Sequence, residues 1–154
     1  MPDIARIQRE IAAAGADGWL FYDFRNRDLI AYQILGLDFG KFTTRRWFYW
    51  IPAEGEPVRI VSAVEAGKLD PLPGAKRVFR SWRELHATLK EALGGARKVA
   101  MQYTPMGNIP YVAMVDAGTV ELLTSFGYEI VSSAGLVQTF QAVLRFCGGC
   151  VGEP

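Results

Sequence analysis

Two cysteines stand near the C-terminus as Cys147-Gly148-Gly149-Cys150, the spacing used by redox pairs and by half of a zinc site. A redox pair belongs beside a strand that leads into a helix, and zinc needs two further ligands. This motif has neither setting and predicts a disordered, glycine-bearing tail. His86 is the single histidine, so no multi-histidine metal centre is built from this chain. It falls three residues before the core-facing Leu89, and no G-x-S-x-G elbow offers it a nucleophile. We read it as a surface or half-buried helix residue. No phosphate loop of the G-x-x-x-x-G-K-[ST] kind occurs, nor a G-x-G-x-x-G after the first strand, so nucleotide binding has no support. The carboxylates Asp23, Asp38, Glu65 and Asp116 are scattered, and capping accounts for Asp23 and Asp116 at helix starts.

Thr43-Thr44-Arg45-Arg46-Trp47 mixes basic and aromatic character, as nucleic-acid surfaces do. Burial already explains the aromatics, and a formal net charge of +1 gives no global field toward nucleic acid or an anionic membrane. A paired arginine at a strand mouth suits a bidentate grip on a carboxylate. It is the best local candidate for binding, whether of a ligand or of a neighbouring subunit.

These residues need elements to position them. Asp3 caps a first helix with Ile4, Ile7 and Ile11 on one face and Gly15 as its stop. Gly18 to Tyr22 reads as a buried strand. A second helix follows, with Asp23 or Asn26 as cap, Leu29, Ile30 and Ile34 inward, and Gly36 as stop. Trp47, Tyr49 and Ile51 alternate with Phe48 and Trp50 in a strand that wants cover on both faces. A turn centred on Glu54-Gly55 makes a hairpin with Val58–Ser62. Residues 76–79 add a short strand. Ser81 and Glu84 fit a capping box ahead of Leu85, Leu89 and Leu93. Residues 98–102 and 128–131 are the last strands. Helices are expected over about 118–126 and after Ser133, which would cap Leu136, Val137, Phe140 and Leu144. The sum is an α/β fold of about six strands and five helices, a mixed sheet with helices on its faces.

With 154 residues the chain fits one domain. Apolar residues at 50% against 21% charged give globular composition, and no metal or disulfide is needed to hold a core of this size. Asp3, Arg6, Arg9 and Glu10 interrupt any signal-peptide core, and no apolar run reaches membrane length. A cytoplasmic protein with no membrane contact is expected.

DFRNRDLIAYQILGL, TRRWFYWIPAEGEP, SWRELHATLKEAL and AMQYTPMGNIPYVAMVDAGTVELL closely resemble the N-terminal domain of Xaa-Pro peptidases of the creatinase/prolidase/aminopeptidase P family, from about Ile4 to Val143. The resemblance implies a six-stranded mixed sheet with helices on both faces and a ribonuclease H-like motif. In that family a C-terminal pita-bread domain holds two divalent metal ions. The N-terminal domain is non-catalytic, supports assembly, and lies over the active site of its own or a neighbouring subunit.

We therefore expect a domain over residues 1–143 and an atypical tail over 144–154, with the catalytic half absent, no cofactor or metal held by this chain, and self-association as a homodimer. Peptidase activity does not carry over. The resemblance also suggests Arg45, Arg46 and Trp47, with Tyr103 and Asn108 of the YTPMGNIPY loop, as a surface facing a partner domain. The alternative is a free-standing module binding nucleic acid or a small carboxylate through Arg45 and Arg46.

Overall fold

The computed structural model describes the backbone of residues 2–149 and the side chains of residues 2–141. Six strands form one sheet: β1 (Gly18–Asp23), β2 (Trp47–Pro52), β3 (Val58–Ser62), β4 (Ala75–Phe79), β5 (Lys98–Met101) and β6 (Glu129–Ser132). Their order is β4-β3-β2-β1-β5-β6. β1, β2 and β3 pair antiparallel, while β5 joins β1, β6 joins β5 and β4 joins β3 in parallel. This is the expected α/β class, a mixed six-stranded sheet whose three antiparallel strands are flanked by parallel β4 on one side and parallel β5 and β6 on the other.

Two apolar layers sandwich the sheet, and the strand alternation assigns residues to them. Trp47, Tyr49 and Ile51 of β2 join Trp19 and Phe21 of β1 in one layer, closed by α1 (Ile4–Ala13), α2 (Leu29–Leu35) and α5 (Ala134–Gly149). Phe48 and Trp50 join Leu20 and Tyr22 in the other, closed by α3 (Trp82–Leu93) and α4 (Ala117–Ser125). Full burial of each large apolar side chain contributes about 1.5–3 kcal/mol, so the central strands, covered twice, carry much of the stability. Trp50 folds back over Gly18 closely enough that a Cβ at Gly18 would overlap the outer edge of the indole, at Cη2, Cζ2 and Cζ3. Glycine there is a packing requirement.

Several local expectations hold in detail. Asp3 Oδ1 accepts from the Arg6 amide and caps α1. Gly36 ends α2 at φ 68°, in the left-handed region that a residue with a Cβ avoids. Ser81 Oγ accepts from the Glu84 amide, but the Glu84 carboxylate reaches the Arg80 amide, one residue outside the usual capping box.

Others need correction. The cap of α2 is Asp28, whose Oδ1 accepts from the Ala31 amide, and neither Asp23 nor Asn26 fills that position. The later start turns Leu29 outward, where it is exposed, while Ile30 and Ile34 point in. Ser133 precedes α5, yet its hydroxyl turns inward to Gln102 instead of capping. The backbone of α5 stays helical to Gly149, so the part of the expected tail that holds Cys147 is helical. Cys150 and the rest of the tail lie outside the described residues.

Candidate functional site at one end of the sheet

Five strands run toward one end of the sheet and only β2 runs away from it. The loops at that end form a rim: residues 24–28 after β1, 36–46 before β2, 63–66 after β3, 80–82 after β4 and 102–116 after β5. Every large apolar side chain that the described residues leave exposed sits on this rim or at the helix start beside it. Leu29, Phe39 and Phe42 lie between β1 and β2, Val64 follows β3, Trp82 follows β4, and Met106, Ile109 and Tyr111 follow β5. Met106 is 95% exposed and Trp82 60%. Scattered single exposed apolar residues are ordinary, but their concentration at one end of a domain marks a contact surface.

The residues singled out from the sequence divide between rim and interior. Arg45 is exposed and Arg46 half-exposed at the entrance to β2, and Asn108 is exposed in the loop after β5. Tyr103 is half-buried against the α3/α4 layer. Trp47 is 1% exposed and belongs to the core behind the rim, because inward alternation of β2 begins with it. His86 lies on α3, half-buried between Trp82 and Phe126, with both rings edge-on.

A buried polar network holds the rim loops in place. Asp23, at the last position of β1, accepts from the amides of Asn26, Arg27 and Asp28 and from the Tyr32 hydroxyl. Gathering those amides bends the chain so tightly that Arg25 and Asn26 adopt φ values of 61° and 56°. Two successive non-glycine residues in the left-handed region cost on the order of 1–3 kcal/mol each. The bend sends the Arg25 side chain out over the Phe42 ring, 5.7 Å from its centroid. Asn26 then stitches the next loop down: its Nδ2 donates to the Phe39 and Lys41 carbonyls, and its Oδ1 accepts from Tyr32 and Thr43. From the other side, Glu65 accepts from the Thr44 and Arg45 amides.

Deeper in the same end, Gln102 joins three elements. Its Oε1 accepts from Trp19 Nε1 at 2.8 Å and from the Ser133 hydroxyl at 3.0 Å, and its Nε2 donates to Asp28 Oδ2 at 2.7 Å. An indole N–H only donates, so Trp19 fixes which way the Gln102 amide faces. Burial pushes Asp28 up to about 6, against the bonds from Ala31 and Gln102 that favour its ionised form. Burial also pushes the Tyr32 hydroxyl up to about 12. Lys68 lies over the Tyr32 ring, 4.8 Å from its centroid, and burial draws its ammonium down.

The sequence pointed to the loop that holds Met106, Ile109 and Tyr111, but not to Asp28, Gln102 or the other apolar rim residues. A lone glutamine after the strand pattern of residues 98–101 carries no periodic signal, and Phe39 and Met106 sit in loops where hydrophobicity has no face to follow.

Among the described residues no group of three or more His, Cys, Asp or Glu side chains is placed to hold a metal ion. No helix of the described residues is long and apolar enough to cross a membrane. At the opposite end of the sheet a shallow cleft of ≈ 1100 Å³ opens between one side of α1, the hairpin turn and the end of α3. Gln8 Nε2 is committed there to the Pro52 and Gly55 carbonyls, and Asp17 to the Arg97 and Lys98 amides.

No protein-family model and no curated protein sequence matches the chain. Solved structures do. The chain is similar to the creatinase/prolidase N-terminal domain of an X-Pro dipeptidase from Streptococcus pyogenes, with a TM-score of 0.61 at 15% identity, over 88% of this chain and 96% of that domain. It is similar to the N-terminal domain of the cytoplasmic peptidase PepQ from Mycobacterium tuberculosis, with a TM-score of 0.56 at 18% identity, over 89% and 96% of the two chains. The prolidase from Pyrococcus horikoshii matches with a TM-score of 0.59 at 14% identity, over 88% of this chain but 33% of its own length. The present chain thus spans about a third of that enzyme. At these identities the likeness establishes the fold.

Proposed function

We propose that this chain, which carries the creatinase/prolidase N-terminal fold, is a non-catalytic docking domain whose rim packs over the active site of a Xaa-Pro peptidase-like catalytic unit. The single observation that carries this reading is the gathering of all the exposed large apolar side chains of the described residues at one end of the sheet. A surface of that kind costs free energy in water and is relieved by a partner. The locked loops beneath it support the same reading, since a surface held rigid before contact loses less conformational entropy on binding. The rim would cover and shape the substrate pocket, and the chemistry of water activation by two divalent ions would come from that catalytic unit, in a cytoplasmic setting like that named for the Mycobacterium peptidase.

The decisive experiment is a dipeptidase assay. Purified chain with added manganese, cobalt or zinc is expected to leave Xaa-Pro dipeptides and tripeptides uncut. Turnover above a metal-only control, abolished by chelator, rejects the reading. Self-association is the second reading, carried by the same bare apolar groups. Light scattering that stays monomeric at high concentration removes it.

A further inference from the structure

The rim carries an asymmetry of charge that decides what kind of surface it fits. Its carboxylates are all turned onto the protein's own groups. Asp23 and Asp28 are buried in the network just described, Asp38 accepts from the Gly40 amide, and Glu65 from the Thr44 and Arg45 amides. Glu84 accepts from the Arg80 amide, and Asp116 from the Thr119 amide and hydroxyl. None of these forms a salt bridge with a rim cation.

The three ion pairs among the described residues, Arg59–Asp70, Lys76–Asp70 and Arg77–Glu91, all lie along the β3–β4 edge. The rim arginines therefore have no carboxylate partner. Arg25 lies over Phe42 and Arg83 over Trp82, each guanidinium beside an exposed ring, while the Arg45 guanidinium donates to the Thr44 carbonyl and hydroxyl. Read across the sheet, these cations stand over the ends of β4, β2 and β1, and the bare apolar groups Met106 and Ile109 stand over the end of β5.

We propose that the rim docks on an acidic protein surface with an apolar centre, and that it does not pair with the same rim of a second copy. A twofold contact between two such rims would bring arginine toward arginine, the exposed carboxylates Asp38, Glu84 and Asp116 each already accepting from a local amide, and like-charge juxtaposition disfavours such a partner. An acidic surface supplies what the guanidinium groups lack. Their planar donors engage carboxylates in pairs, and the neighbouring rings remove water from around the contact. Met106 and Ile109 over β5 carry no ring on which a nucleobase could stack, and they call for a complementary apolar centre on a protein. This inference rests on the docking role proposed above.

The test titrates nitrogen-15-labelled chain with a designed amphipathic peptide bearing leucine and phenylalanine on one face flanked by glutamates. A matched peptide with every glutamate replaced by glutamine serves as control. Amide shifts are expected at Arg25, Phe42, Arg45 and Met106, with affinity about tenfold tighter for the glutamate peptide at low salt and a gap that narrows as salt rises. Arg45→Glu/Arg46→Glu should close the gap, and the milder Arg45→Gln should narrow it while keeping a wild-type spectrum elsewhere. Equal affinity for the two peptides overturns the acidic-partner inference and leaves docking standing. No rim shifts with either peptide overturn both. Rim shifts on concentrating the chain alone, or tighter rim binding to oligothymidylate or phosphatidylserine vesicles, also overturn it.

Discussion

Asp28 offers a direct measurement of how burial and hydrogen bonding divide at the rim's foundation. The carboxylate is 2% exposed and receives the Ala31 amide and Gln102 Nε2. Burial nevertheless raises it from 3.8 to about 6. The native state then holds a proton more tightly than the unfolded chain between those values. Stability from this group therefore falls as pH rises from about 4 to about 6, and the cost stays in full above that window. A shift of about two units corresponds to about 3 kcal/mol, of which about 2 kcal/mol falls between pH 4.5 and pH 7.

The perturbation is Asp28→Asn, which keeps an N-cap acceptor for Ala31 and cannot titrate. Its amide sets a donor against Gln102 Nε2, and Trp19 prevents Gln102 from turning round, so the variant carries a pH-independent penalty of about 1–3 kcal/mol. Urea denaturation followed by tryptophan fluorescence at pH 4.5 and pH 7 gives the wild-type-minus-variant difference, in which all other carboxylates cancel. That difference is expected to fall by about 2 kcal/mol on going to pH 7. A flat difference, or one that grows with pH, would show that the two donors outweigh burial and would refute the reasoning.

Three further outcomes follow from named contacts. Asn26→Ala removes the stitches to Phe39, Lys41, Tyr32 and Thr43, so hydrogen exchange should accelerate at residues 39–46 while β1 and β2 keep their protection. Gly18→Ala drives a methyl into the Trp50 ring and should cost about 1–3 kcal/mol in urea denaturation; an unchanged midpoint would mean the indole swings aside freely. Ser81→Ala deletes the cap of α3 and should lower stability by about 1 kcal/mol without altering the rim's amide shifts.

The parts of this molecule that could be read from its residues are those with a period. Ile7 with Ile11, and Leu85 with Leu89 and Leu93, repeat at helical spacing, and the alternation from Trp47 to Ile51 announces a strand covered twice. All three patterns lie where predicted. What stayed hidden depends on contacts across the chain. Asp23, Asn26 and Asp28 are all competent caps within six positions, and only the fold decides that Asp28 caps while Asp23 gathers the loop. Ser133 looked like a cap because its neighbours are helical, but Gln102, thirty-one residues earlier, competes for its hydroxyl. Arg45 and Arg46 were visible as a pair, yet the apolar company they keep comes from the ends of four other strands.

The pairing of β1 has a consequence for how the chain comes to its native state. β1 lies in the middle of the sheet, and its antiparallel side is closed early, by the β2 that follows the next helix. Its parallel side waits for β5, and Trp19 meets Gln102 across a separation of 83 residues. During synthesis the first four strands emerge while one flank of β1 still shows its unpaired amides and carbonyls, a template for any passing strand. Closing that long loop is entropically slow, so the interval before β5 arrives is when the nascent protein is most exposed to aggregation and most in need of a chaperone.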